Sequence, residues 1–126
     1  MTVGEILARV KRLKPGQYED EDLLYWLNQL EARIRTQIID LHEGGPEDEY
    51  TPFTQEDMQA QPLAAGPCEE MYLYWLYAMI DYHNAEEERY NNHMAMYQQL
   101  LATFNAWYKR QHMPKPGPRP HGFRGW

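Results

Sequence analysis

Apolar residues recur at helical intervals from the start of the chain. Thr2 followed by Glu5 has the spacing of a capping box, and Val3, Ile6, Leu7, Val10 and Leu13 then fall at steps of three and four until Pro15-Gly16 ends the pattern. The spacing predicts a short first helix whose outer positions Arg9, Lys11, Arg12 and Lys14 form a small cationic spot. Glu19-Asp20-Glu21-Asp22 then supplies negative charge where a helix N-terminus favours it, and Leu23, Trp26, Leu27, Leu30, Ile34, Ile38 and Leu41 carry the period onward. A second helix over 20–41 follows. It is closed by His42-Glu43-Gly44-Gly45-Pro46, whose glycines and proline cannot continue helical geometry.

Residues 42–66 have turn composition, broken by Pro46, Pro52, Pro62, Gly44, Gly45 and Gly66, with a short strand expected over Tyr50–Phe53. Pro67 suits the first turn of a third helix, and Met71 to Ile80 is apolar nearly all round, so this helix needs cover on several sides, from its own domain or from another subunit. Beyond a break near Asn84, a fourth helix is predicted from about Glu86 to His112. Tyr90, Met94, Tyr97, Leu101, Phe104, Tyr108 and Gln111 make its heptad seam, and Asn91, Asn92, His93, Gln98, Gln99 and Asn105 its polar, uncharged opposite face. From Met113 the chain alternates proline and glycine with basic residues, which prevents a stable fold of its own and predicts an extended arm of about 40 Å reach. The whole reads as all-α: a small bundle of about four helices over 1–112, with a long irregular central loop and a C-terminal arm over 113–126.

Composition changes this picture in two ways. The net charge of −7 hides an asymmetry: from Lys109 onward there are five basic and no acidic residues, which leaves 7 basic and 19 acidic before it, a net of −12. An acidic body repels nucleic acid at long range, so sequence-specific DNA binding is not expected. Ten tyrosines, apolar rings with polar tips, suit surfaces that become buried on assembly. The lone Cys68 has no intrachain partner, and no apolar run serves as a signal peptide or membrane span, so the chain is expected to be cytosolic when made and to have no membrane partner.

Chemistry-bearing patterns are sparse. His83, Glu86 and Glu87 with His93, or Asp40 with His42, are the only groupings that resemble metal ligands, and no glutamate among Glu86 to Glu88 is followed by histidine at the spacing a di-iron bundle needs. Phosphate-binding glycine loops, nucleophile elbows and zinc-protease motifs are absent. The carboxylates sit in runs at helix starts and in the central loop, as capping and solvation require. No catalytic residue, metal or cofactor is expected.

The stretch Leu63 to Met113, particularly Tyr72-Leu73-Tyr74-Trp75-Leu76, Ile80-Asp81-Tyr82-His83-Asn84, Glu88-Arg89-Tyr90-Asn91-Asn92 and Trp107-Tyr108, together with the His-Glu-Gly-Gly-Pro turn, resembles the head-tail connector (adaptor) proteins of long-tailed double-stranded DNA bacteriophages. The resemblance extends over most of the chain, excluding the proline-rich arm. It implies no reaction. It implies instead a virion protein at the head-tail interface, assembled in the bacterial host cytoplasm as a homo-oligomeric ring, typically a dodecamer. Such a ring docks on the portal protein and extends the DNA channel toward a stopper or tail completion protein, with double-stranded DNA passing through unread.

On that reading Arg119, Phe123, Arg124 and Trp126 form a portal-binding arm. Tyr72, Tyr74, Trp75, Tyr77, Tyr90 and Tyr97 pack between subunits, and Glu43, Glu47, Asp48 and Glu49 belong to a channel loop. The alternative is a small acidic phage-encoded regulatory protein that binds a host or phage protein through its aromatic third helix.

Overall fold

A computed structural model describes residues 1–16 and 18–116. The chain is all-α: α1 (Val3–Leu13), α2 (Asp20–Gln37), α3 (Glu70–His83) and α4 (Glu87–Gln111), with 3-10 turns at Ile39–Leu41 and Gln55–Asp57. The arm residues Arg119, Phe123, Arg124 and Trp126 lie outside the described residues.

The capping box expected at the first helix is present, with the Glu5 amide donating to Thr2 Oγ1 at 3.2 Å and the Thr2 amide to Glu5 Oε1 at 3.0 Å. These bonds favour the charged form and hold the Glu5 carboxyl below its usual range. Val3, Ile6, Leu7 and Val10 are buried, but Leu13, which continues the same period, is exposed because the helix runs out beneath it. The second helix is shorter than its period suggests. It leaves α geometry at Ile38 and tightens into the 3-10 turn, so Ile38 and Ile39 are buried while Leu41 turns outward.

α3 is the central element, packed on α4 and also on α2 and α1, and it buries Met71, Tyr72, Leu73, Trp75, Leu76, Ala78 and Ile80. Its all-round apolar character is therefore satisfied within the chain. It begins at Glu70 rather than at Pro67, because residues 67–69 form turns before the helix starts. α4 follows its predicted seam: Tyr97, Phe104 and Tyr108 are buried, Tyr90, Met94 and Leu101 half-buried, and Gln111 is exposed.

The turn between α3 and α4 is a Schellman closure. Glu86 N–H donates to Asp81 C=O at 2.9 Å and Ala85 N–H to Tyr82 C=O at 3.1 Å, with Ala85 in the left-handed region at φ 57°. A residue with a Cβ is strained there by about 1–2 kcal/mol. Ala85→Gly is expected to stabilise the fold by about 1 kcal/mol once the extra freedom of glycine in the unfolded chain is subtracted, raising Tm by a few degrees in calorimetry. An unchanged or lower Tm counts against strain at this turn.

No strand forms over Tyr50–Phe53, and none occurs elsewhere among the described residues. The loop is instead held by side chains. Asn28 on α2 does the work of a strand neighbour: its Nδ2 donates to Phe53 C=O and its Oδ1 accepts from Phe53 N–H, both at 2.9 Å, while Tyr50 Oη donates to the Asn28 C=O at 3.1 Å. Further on, Met58 and Ala60 offer carbonyls to the amides of Gly4 and Val3, which caps the first turn of α1.

Candidate functional site

The six aromatic positions expected between subunits divide in two. Tyr72 and Tyr97 are fully buried and Trp75 nearly so, and each is committed internally. Tyr72 Oη donates to Glu31 and accepts from the Ala64 amide, Trp75 Nε1 donates to Trp26 C=O at 2.8 Å, and Arg33 reaches Tyr97 Oη at 3.1 Å while lying 5.1 Å from the Trp75 ring centroid. These three fill the chain's own interior and have no surface to give a neighbour. Tyr74, Tyr77 and Tyr90 are only half-buried. Tyr74 and Tyr77 pack with His93 at centroid distances of 6.0 and 5.2 Å, and Tyr90 lies 5.7 Å from exposed Tyr82.

His93 does not share the polar face of α4 with Asn91 and Asn92. It turns inward, its Nδ1 2.6 Å from Asp81 Oδ2, while Lys14 at the end of α1 bonds the other carboxylate oxygen and has Glu86 at 3.9 Å. Asp81 is completely buried. Burial pushes its carboxyl up, but the hydrogen bonds from Lys14 and His93 outweigh this and hold it below the usual carboxylate range. This cluster joins α1, α3 and α4 at one point. Among the described residues no group of three or more potential metal ligands converges. His83, the other anticipated ligand, has Nδ1 2.9 Å from Met79 C=O and its ring against Trp26 at 4.9 Å. Burial also raises the Cys68 thiol, which keeps it protonated.

The acidic loop is built from beneath. Arg35 near the end of α2 donates from Nε to Asp40 at 2.7 Å and from Nη2 to the carbonyls of Pro46, at 3.2 Å, and Asp48. Its guanidinium therefore holds the backbone of the loop while Glu43, Glu47, Asp48 and Glu49 point their charge at solvent, around an open cleft that also includes Lys115. The far end of the loop hangs on Glu31, whose carboxylate accepts from Leu63 N–H at 3.0 Å and from Tyr72. Burial raises the Glu31 carboxyl, and burial together with the Glu31 charge lifts the Tyr72 phenol well above its ordinary value.

The glycine pair has a packing role that its turn composition did not disclose. A Cβ on Gly45 would lie 2.7 Å from Ile39 Cγ2 and 3.3 Å from Tyr108 Oη, so the turn sits flush on the end of α4. Gly44, at φ 88°, brings the chain past His112, whose ring stacks on Tyr108 at 3.8 Å. The chain beyond α4 then pairs back along this turn. Glu43 N–H donates to Met113 C=O at 2.7 Å, Lys115 N–H donates to Leu41 C=O at 2.9 Å, and His42 faces Pro114 in an antiparallel bridge. The start of the arm and the acidic loop thus share one end of the bundle, flanked by the exposed side chains of Leu41 and Met113.

Arg9, Arg12 and Leu13 of α1 border an open groove with Leu73 and Tyr77 of α3. The sequence marked the cations here but gave no sign of the groove. Asn28, Glu31 and Arg35, which tie the loop to the bundle, and Asp81, which joins three helices, escaped sequence reasoning, because each is a polar residue inside an otherwise ordinary helical period. No family model matches the chain, and no curated protein and no solved structure matches it.

Proposed function

We propose that the chain is a structural subunit of a phage head-tail connector, a ring that docks on the portal protein and extends the DNA channel toward a stopper or tail completion protein, without catalysis and without a cofactor. The observation that carries this reading, beside the resemblance of Leu63 to Met113, is the tether of Met113–Lys115 to Leu41–Glu43. It launches the C-terminal segment from a fixed point at the acidic end of the bundle, the arrangement a subunit needs to reach a neighbouring ring from a rigid body. The outward carboxylates of Glu43, Glu47, Asp48 and Glu49 suit a channel through which DNA slides without sticking. The half-buried Tyr74, Tyr77 and Tyr90 leave aromatic surface for lateral packing. The rival reading, a regulator acting through the aromatic α3, has less to rest on, since most of that helix is covered by its own domain.

Mixing with purified portal tests the proposal. Full-length protein is expected to form a stoichiometric ring complex whose mass is read by light scattering after size exclusion. A chain ending at Pro116 keeps the Met113–Lys115 tether but lacks the anchors Phe123 and Trp126 and the charges Arg119 and Arg124, and is expected to bind at least about tenfold more weakly. Equal binding by the shortened chain would assign portal contact to the bundle instead of the arm. No association by either chain would end the connector reading.

A further inference from the structure

Two charged surfaces of opposite sign lie on this molecule, a cationic one on α1 and an acidic one on the turn after α2, whose cleft also holds Arg35 and Lys115. Arg9 and Arg12 make no ion pair among the described residues, and the same holds for Glu43, Glu47, Asp48 and Glu49. The other α1 cations are already engaged, Lys11 with Asp20 and Lys14 with Asp81 and Glu86. The two free arginines are exposed at the rim of a groove that also contains Leu13, which is 60% exposed, and Leu73 and Tyr77. The acidic surface has the same mixed character, with Leu41 and Met113 exposed at 56% and 70% beside it.

We infer that these surfaces are complementary halves of one contact: the α1/α3 groove of one copy takes the acidic turn of the next. Three features support a second copy as the occupant. The spacing agrees, since Arg9 and Arg12 stand about 5–6 Å apart as an i, i+3 pair, while two residues of chain from Glu47 to Glu49 span at most about 7 Å. The acidic turn is held in place before contact, because Arg35 binds the carbonyls of Pro46 and Asp48 and Tyr50 is fixed to Asn28, so little ordering is left to oppose association. Finally, the surfaces are distinct parts of the chain: Lys11 of α1 pairs with the first residue of α2, Asp20, whereas Arg35 near the last turn of α2 anchors the loop. A contact between two different surfaces is heterologous and propagates from copy to copy until it closes. Salt screens it and an added cation on the acidic side breaks it.

The inference takes its setting from the connector reading, but its test needs no portal. Two variants are made, Arg9→Glu/Arg12→Glu, in which the paired positions of both surfaces are acidic, and Glu47→Lys/Glu49→Lys, in which the paired positions of both are basic. All four positions are exposed, so helical content and melting are expected to match the parent. In sedimentation at low salt and rising concentration, the parent chain is expected to associate, and each variant alone to associate at least tenfold more weakly. An equimolar mixture of the two is expected to regain association, since copies can then alternate with every contact pairing opposite charges. Parent protein that stays monomeric to millimolar concentration overturns the inference. So does association that survives either reversal, or a mixture that fails to recover. If Arg9→Glu/Arg12→Glu abolished retention of duplex DNA while leaving self-association intact, the groove would belong to phosphate and the inference would also fall. Portal binding measured separately reports on the connector reading, and loss of one does not entail loss of the other.

Discussion

Replacing Asp81 by alanine is expected to cost about 3–5 kcal/mol, which is a large part of the stability of a domain this size. The carboxylate is completely buried and is shared by Lys14 of α1 and His93 of α4, so its removal strands a nearly buried ammonium with only Glu86, 3.9 Å away, and breaks the link among three helices. Asp81→Asn keeps the shape and one acceptor and is expected to lose less. The pH dependence separates electrostatics from packing. Because the folded-state carboxyl lies below its ordinary value, its contribution is present above the unfolded carboxylate pKa of about 3.9 and disappears as pH falls through the lower folded value. Denaturant titrations of parent and Asp81→Asn should therefore converge as the pH drops below about 4. Curves that remain parallel there would show that the ion pairs contribute only packing.

Asp81 also marks the limit of what the sequence disclosed. The helices were legible because a continuous apolar period of three and four runs through each one, and capping signals such as Thr2/Glu5 and the glycine pair after Leu41 gave most of the boundaries to within a few residues. The period failed at its ends. Leu13, the last residue of α1, and Leu41, past the end of α2, continue the pattern where the rest of the bundle no longer covers them. The aromatic content was legible as a quantity but not as a location. Tyr72 is a core residue because Glu31 and the Ala64 amide supply partners for its hydroxyl, and that partnership spans 41 residues of chain. Tyr74, two positions on, has no such partner and stays at the surface.

The central loop shows the same division. Its proline and glycine content excluded regular structure, and the expected strand at Tyr50–Phe53 does not form because the edge it needs is provided by one asparagine, Asn28, in place of a second strand. Its order comes from the side chains of α2 that face it. Asn28, Glu31 and Arg35 are spaced at three and four residues, so they form a polar line along the helix, and each fixes a different part of the loop: Tyr50 and Phe53, then Leu63, then Pro46 and Asp48. That line is visible in the sequence at helical spacing. Its role is not, since nothing local distinguishes a polar side chain under a loop from one under water.

Glu31 is the middle of this line and the one member that is fully buried, so its replacement tests the loop's attachment most directly. Glu31→Ala leaves the Leu63 amide and the Tyr72 hydroxyl without an acceptor in a dry site, and at about 1–3 kcal/mol for each unsatisfied group a loss of about 3 kcal/mol is expected. Proteolysis at residues 58–65 should increase with it. Glu31→Gln retains one acceptor and should fall in between, and its pH dependence runs opposite to that of Asp81. Here burial raises the folded-state carboxyl above its unfolded value, so the protonated form is favoured by folding. The stabilisation linked to that proton is fully present below about pH 4.3 and is lost as pH rises through the folded value. The advantage of the parent over Glu31→Gln should thus shrink between pH 4 and pH 7, where the advantage over Asp81→Asn is at its largest. If the Glu31→Gln difference instead grew with pH, the charged carboxylate with its two donors would be the stabilising species, and hydrogen bonding would outweigh the burial cost at this site.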